Sequence, residues 1–252
     1  MIYLKTKDQI NKMIDAGKIL ISVHHALRDK VKEGVTTMEL NDFVDDFIVS
    51  QGAYPEQKGY QGFPYAICAS VNDEICHGFP SKDVILKDGD IISIDMVVNY
   101  KGWMADSCWS YAVGKLSDED QKLFDHTREA MYKAISIVDE NVRIGEIGKC
   151  IEAFTRPKGY SIVKEFIGHG IGKNMHEDPQ VFHYNAGVKG PRIVKGMAFT
   201  IEPMICMGSA AMKLDKNGWT ARTKDGSKCV QFEHTLALTD NGVIITTDQG
   251  DV

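Results

Sequence analysis

Ile91 to Tyr111 reads I-I-S-I-D-M-V-V-N-Y-K-G-W-M-A-D-S-C-W-S-Y, and this stretch decides how the chain is organised. Val84–Val98 has the apolar run of a mostly buried strand, and Ala105–Val113 alternates like a second one. Asn99-Tyr100-Lys101-Gly102 supplies turn residues between them, so the stretch predicts a β-hairpin. With the turn centred between Tyr100 and Lys101, Asp95 would pair directly with Asp106. Opposed residues have Cβ atoms about 4.5–5.5 Å apart, and like charges there destabilise a sheet unless something neutralises them. A cation between the carboxylates, a shared proton, or a different register would each resolve the conflict.

The 252 residues are 43% apolar and 25% charged, which suits one large soluble domain or two small ones with a substantial core. The net charge of −6 argues against nonspecific phosphate binding, so no nucleic-acid partner is expected. No stretch approaches the roughly 18 uncharged apolar residues of a membrane span. The N-terminus, M-I-Y-L-K-T-K-D-Q-I, has no apolar core followed by a cleavage site, and the expectation is a cytoplasmic protein without a membrane partner. A helix beginning within the first ten residues leaves no place for a zinc finger or other N-terminal extension. Cysteines at 68, 76, 108, 150, 206 and 229 are scattered, with no Cys-x-x-Cys pair, and read as reduced, mostly buried thiols.

Thr6-Lys7-Asp8-Gln9 fits a capping box, and apolar residues follow at helical spacing from Ile10 to Val31, until Gly34. Thr36-Thr37-Met38-Glu39 caps a second helix that Gly52 ends. His24 and His25 lie on the first helix and are expected at the surface or rim. A strand is expected over Ala66–Val71, a third helix opens at Ser117, and a fourth runs from about Gly145 through Phe154.

An internal repeat runs through this layout. Lys87-Asp88-Gly89-Asp90-Ile91-Ile92-Ser93-Ile94-Asp95 aligns with Val194-Lys195-Gly196-Met197-Ala198-Phe199-Thr200-Ile201-Glu202 at an offset of 107, acid on acid. The same offset sets Val35 on Val142, Glu39 on Glu146 and Leu40 on Ile147. Two halves of like layout are implied around a shared sheet, about 1–115 and 116–252, with the boundary near Gly114–Ser117.

Glu202, in A-F-T-I-E-P-M-I, and Glu233, in C-V-Q-F-E-H-T-L-A-L, also interrupt apolar strands, where a charge is costly unless paired. Gln231 and Thr235 share the face of Glu233. One such acid is commonly a satisfied core carboxylate, but four on strands that lack Lys and Arg favour cation binding. Gly168-His169-Gly170-Ile171-Gly172 adds an imidazole between glycines that let backbone approach closely, and it lacks the G-x-G-x-x-G pattern of a nucleotide loop. One nitrogen and four carboxylates suit a pair of Mn, Fe, Co or Zn ions better than a structural zinc. Two ions about 3.5–4 Å apart can share a water, lower its pKa and polarise a carbonyl, the logic of metal-assisted hydrolysis. His77 and His176 stand near this cluster in the repeat scheme and could hold a substrate amide and a developing oxyanion, although either alone reads as an ordinary surface or core histidine. His126, His183 and His234 are read as structural.

His77-Gly78-Phe79-Pro80, the Asp95/Asp106 pair, Gly168-His169-Gly170-Ile171-Gly172, Met175-His176-Glu177, Thr200-Ile201-Glu202-Pro203 and Gln231-Phe232-Glu233-His234 occur in this order. Together they resemble the bacterial type I methionine aminopeptidases, in the M24 metallopeptidase family, over essentially the whole chain. The resemblance implies the α+β pita-bread (creatinase/aminopeptidase) fold, two pseudo-symmetric halves around a central antiparallel sheet. It implies metal-dependent removal of the N-terminal methionine from nascent chains when the second residue is small and uncharged. Asp95, Asp106, His169, Glu202 and Glu233 would be the ligands of two divalent ions (Co, Mn, Fe(II) or Zn), with Asp106 and Glu233 bridging and a monovalent cation allowed. Glu202 would shuttle the proton of a bridging water, His176 would contact the scissile carbonyl oxygen, and His77 the amide nitrogen.

Tyr60, Phe63, Cys68, Met175 and Trp219 would line a methionine pocket, an apolar set that fits an unbranched thioether. Met175 stands where relatives often have Phe, and Gln57, Gln61 and Phe63 where they often have Cys, His and Tyr, which bears on pocket shape and leaves the ligands intact. The 26 residues from His176 to Glu202 have no room for the helical insertion of the type II form. The implied partners are nascent polypeptide N-termini at the ribosome, with the enzyme a monomer. Xaa-Pro dipeptidases and aminopeptidase P share the ligand types but usually carry an extra N-terminal domain, for which the length leaves no space. A catalytically dead peptide- or ribosome-binding relative would be expected to have lost ligands, and all five are present.

Overall fold

The computed structural model describes residues 1–250. Its helices are α1 (Lys7–Arg28), α2 (Thr37–Ser50), α3 (Asp118–Ser136) and α4 (Ile144–Thr155). Both expected capping boxes form: Thr6 and Gln9 cap each other's backbone at α1, and Thr36 and Glu39 do so at α2. Ser117 caps α3 by accepting from the Asp120 N–H. These reciprocal bonds satisfy amides that a helix start leaves open, so the starts fall where the side chains dictate.

α1 stops at Arg28 instead of continuing toward Gly34, because the following residues bond across to another segment. Gly34 N–H donates to Leu86 O and Leu86 N–H to Val35 O, each at 2.9 Å. That pairing also removes Val84–Leu86 from the hairpin, whose first strand starts at Ile91 after a turn at Gly89, φ 86°. The strand expected from Ala66 likewise begins later, at Cys68. The same connection recurs in the second half, where Asn141 N–H donates to Ile193 O and Ile193 N–H to Val142 O. α2 and α4 open at Thr37 and Ile144, and Gly89 and Gly196 turn at φ 86° and 87°. The halves are pseudo-symmetric.

All strand ladders are antiparallel. In the first half Ile91–Tyr100 pairs with Trp103–Ala112 on one side and with Cys68–Val71 and Tyr54–Pro55 on the other. In the second, Ala198–Ile201 pairs with His234–Thr239 and with Gly168–Gly170, which pairs in turn with Glu177–Val181. Met204–Cys206 pairs with Cys229–Gln231. The halves join where Trp103–Ala112 meets the segment around Glu233: Glu233 N–H donates to Cys108 O at 2.8 Å, and the Thr235 hydroxyl bonds both backbone groups of Asp106. The helices cover this central layer. Leu20 and Leu27 of α1, Ile94 and Trp109 of the hairpin, Leu123 and Met131 of α3, and Phe199 and Phe232 belong to one buried cluster spanning both halves.

The hairpin register differs from the sequence expectation. Tyr100 faces Trp103, and the loop is Lys101-Gly102, with φ 53° and 79°. Two consecutive positive φ values are the signature of the two-residue type I′ turn whose twist matches the strands. Asn99 stays in the strand and its side chain accepts the Gly102 N–H at 3.0 Å. The register therefore shifts: Asp95 faces Cys108, and Asp106 faces Val97. The aspartates share a face as diagonal neighbours instead of direct ones.

His24 also departs from its expected rim position. It is fully buried, with Nδ1 2.7 Å from the Tyr111 hydroxyl, while His25 is exposed. All six cysteines are free and five are buried, Cys150 being partly exposed. Among the described residues, no helix is long and apolar enough to cross a membrane.

Candidate metal centre

The four acids and His169 converge on one cavity of about 480 Å³. Asp95 and Asp106 reach it from the hairpin, and His169 from the short strand Gly168–Gly170. Glu202 and Glu233 sit in breaks between strands, Glu202 after Ile201 and Glu233 before His234. Pro203 has no N–H for a ladder, which favours the break at Glu202. The Glu202 N–H donates to His183 Nε2 at 3.1 Å, and the Glu233 N–H turns to Cys108 O, so neither amide is left unpaired. His183, which the sequence marks only as structural, thus lies directly behind a site carboxylate.

His169 Nδ1 lies 3.0 Å from Gly170 O. A carbonyl oxygen only accepts, so Nδ1 carries the hydrogen and Nε2 presents its lone pair to the cavity. That nitrogen is 3.6 Å from Asp106 Oδ2 and 3.7 Å from Glu202 Oε1. Asp106, His169 and Glu233 each offer a ligand atom, and the three atoms lie within 4.8 Å of one another. Asp95 adjoins Asp106 at hydrogen-bonding range, and Glu202 adjoins Glu233. The Thr200 hydroxyl accepts the His169 N–H at 3.0 Å and donates to Glu202 Oε1 at 2.7 Å, which ties two candidate ligands together.

Burial pushes Asp95 up to about 7 and Glu202 up to about 8. Burial first, and neighbouring carboxylates next, hold Asp106 and Glu233 well above the usual carboxylate range. Burial, and then the nearby His176, holds His169 down to about 4, so its contacts to the acids are not ion pairs near neutral pH. Asp106 Oδ1 and Glu233 Oε1 are buried without a hydrogen-bond partner, and no Lys or Arg lines the cavity. Buried carboxyl oxygens with neither donor nor cation are expensive. The donor set therefore fits divalent metal, and the two orphaned oxygens are where ligation would satisfy it.

Every other residue singled out for the site also lines this cavity: His77, His176, Tyr60, Phe63, Cys68, Met175 and Trp219. His77 follows Cys76 with φ 54°, a conformation uncommon outside glycine. Thr220 secures it by donating to His77 O and accepting the Phe79 N–H. Burial holds His77 down to about 4 and lowers His176, so both are neutral near pH 7. Phe63 meets Trp219 edge to face at 5.2 Å, closing an apolar recess. Gln57 and Gln61 line the cavity too. Sequence reading passed over Val97, Phe166, Ile167 and Met204 in the wall. Val97 was legible in principle, being two residues from Asp95 and so on its face.

The model of metallopeptidase family M24 matches residues 11–240. The chain belongs to this family. Membership brings divalent metal and peptide-bond hydrolysis, in agreement with the donor set. It is 44% identical to a methionine aminopeptidase 1 of Bacillus subtilis over 247 residues, 98% of this chain and 99% of that one. The methionine aminopeptidase structure from Rickettsia prowazekii superposes with a TM-score of 0.95 at 39% identity, covering 98% of this chain and 100% of that chain. These matches carry the pita-bread fold over almost the full length. The Pyrococcus furiosus prolidase, at 21% identity and a TM-score of 0.80, shares the fold over 98% of this chain but only 66% of its own.

Proposed function

We propose that the chain is a methionyl aminopeptidase that removes the N-terminal methionine from nascent proteins and peptides, preferring a small, uncharged second residue. The observation that carries this reading is the junction of two surfaces in one cavity, the His169 and carboxylate cluster and the recess of Tyr60, Phe63, Cys68, Met175 and Trp219. The recess is apolar and contains two sulfur atoms, suited to an unbranched thioether. The acids beside it favour a free α-ammonium.

Asp95, Asp106, His169, Glu202 and Glu233 would hold two divalent ions (Co, Mn, Fe(II) or Zn), whose charge would balance the four carboxylates. Bound metal supplies Lewis acidity, which lowers the pKa of water and polarises a carbonyl. Glu202 accepts the proton lost by the attacking water and returns it to the leaving amine. His176, neutral, donates to the scissile carbonyl oxygen as charge develops there, and His77 holds the amide nitrogen. Residues 1–252 act as one catalytic domain of two repeat halves that meet near residues 115–116. The enzyme works in the cytoplasm as a monomer, on chains emerging from the ribosome, and a monovalent cation can accompany the metal pair.

The test is release of free methionine from Met-Ala-Ser and Met-Pro-Ala, against an Ala-Pro-Ala control, with chelator-stripped protein reloaded with Mn, Fe(II), Co or Zn in turn. Metal-restored methionine release with little action on the control is the expected result. Preference for the Ala-Pro bond would move the chain to the proline-specific relatives, and metal binding without hydrolysis would favour a binding protein.

A further inference from the structure

Gln61 is an exposed side chain on a backbone with φ 48° and ψ 25°, between Gly59 at φ 93° and Gly62 at φ 90°. The left-handed region is disfavoured for a residue with a Cβ, so something else about this position must compensate. At this backbone angle the Gln61 amide reaches the preceding side chain: Nε2 donates to the Tyr60 hydroxyl at 3.2 Å. The same hydroxyl lies 2.9 Å from His176 Nδ1, and the two rings are 5.3 Å apart. The three side chains form a chain from the cavity rim to the imidazole.

Proton counting along that chain favours one direction. The phenolic oxygen accepts from Gln61, so its own hydrogen is free to donate, and His176 Nδ1 is the acceptor within reach. A neutral imidazole has one N–H, so the hydrogen of His176 must then sit on Nε2. The opposite polarity, with Nδ1–H donating to Tyr60, would direct two donors at the phenolic oxygen and leave its hydrogen to solvent instead of to a protein acceptor. Only a turned Gln61 amide, with Oε1 toward Tyr60, would reverse both bonds.

We infer that Gln61 and Tyr60 are positioning residues that fix the proton of His176 on Nε2, the nitrogen left to donate to a substrate oxygen in the cavity. Only the identity of that oxygen rests on the aminopeptidase reading; the tautomer is argued from the contacts of Tyr60 and Gln61. Gln61 thus orients Tyr60 with an amide donor that has no titration of its own near neutral pH.

The proton position is read directly by two-bond ¹H–¹⁵N correlation spectra of the zinc-loaded, diamagnetic protein, with the His176 signals assigned by their loss in His176→Asn. The parent should show His176 as the Nε2–H form, and Tyr60→Phe, which keeps the ring, should shift it to a mixture of tautomers. In Tyr60→Phe kcat on Met-Ala-Ser should fall about 3- to 10-fold, the worth of one hydrogen bond, with KM and metal content unchanged. Gln61→Met should give the smaller change in the same direction. An Nδ1–H form in the parent, or a parent-like tautomer and kcat in Tyr60→Phe, would overturn the inference. A parent that cleaves no methionyl peptide would instead overturn the aminopeptidase reading, with the tautomer still decided by the spectra.

Discussion

The Asp95/Asp106 hairpin and the Glu202/Glu233 strand pair occupy corresponding places in the two halves but hold their acids differently. In the first half the ladder runs unbroken from Ile91↔Ala112 to Tyr100↔Trp103, and the aspartates are diagonal. In the second, Ile201 faces His234 and Met204 faces Gln231, a register that sets Glu202 opposite Glu233. The direct opposition expected from the sequence for the aspartates is thus found in the glutamates. The ladder gives way there, and both amides bond elsewhere. A sheet tolerates diagonal acids within a continuous ladder, whereas directly opposed acids coincide with a break.

The strongest way to break this comparison is to remove one of the opposed acids. Glu202→Ala should lower kcat by ~10³-fold or more and release metal, seen by peptide assay and metal analysis of the same sample; an active, metal-replete variant would refute the dinuclear reading. His176→Ala tests a residue outside the opposed pair. It should cost ~10²-fold in kcat and leave metal content intact, so equal loss of both would remove its assigned role.

A subtler contrast appears in metal-free protein. Asp95 and Glu202 keep protons when folded that they lose near pH 4 when unfolded, so chelated protein should lose stability as pH rises from about 4 toward 8. Glu233→Gln should recover stability on the order of 1 kcal/mol at pH 8, more than Asp106→Asn, by calorimetry in chelator. Equal recovery would mean that direct and diagonal acids cost the same.

A further contrast concerns a helix-to-sheet pair that the halves build in opposite senses. In the first, His24 of α1 meets Tyr111 on the strand; in the second, Tyr132 of α3 meets His234 beyond Glu233. Burial holds His24 down to about 3. It stays neutral in the fold while the unfolded chain takes up a proton below about pH 6.5, so its share of stability is lost as pH falls. Acid unfolding curves of His24→Gln should be flatter than the parent's between pH 6.5 and 4.5, by up to about 1.4 kcal/mol per pH unit.

What could be read from the sequence divides along similar lines. Helix starts were legible because Thr6/Gln9 and Thr36/Glu39 act within four residues. The four acids were legible because charge in an apolar strand is conspicuous, and His169 because glycines flank it. The register was not, because Asn99 looks like a turn residue while Lys101 at φ 53° gives no sequence sign of its conformation. His24 was misplaced because its partner is 87 residues away, and His183 gave no hint that it would accept from Glu202.

The hairpin of the first half closes in two residues, whereas residues 207–228 lie between the paired strands of the second. That excursion carries Trp219 into the cavity wall, pairs Ala221 with Cys76, and bonds the His77 carbonyl through Thr220. The wall of the cavity and His77, the proposed amide contact, are therefore mechanically linked. In evolutionary terms, selectivity and turnover would not be independent traits under the proposed roles, since a change in the length or pitch of this one excursion would shift both Trp219 and His77.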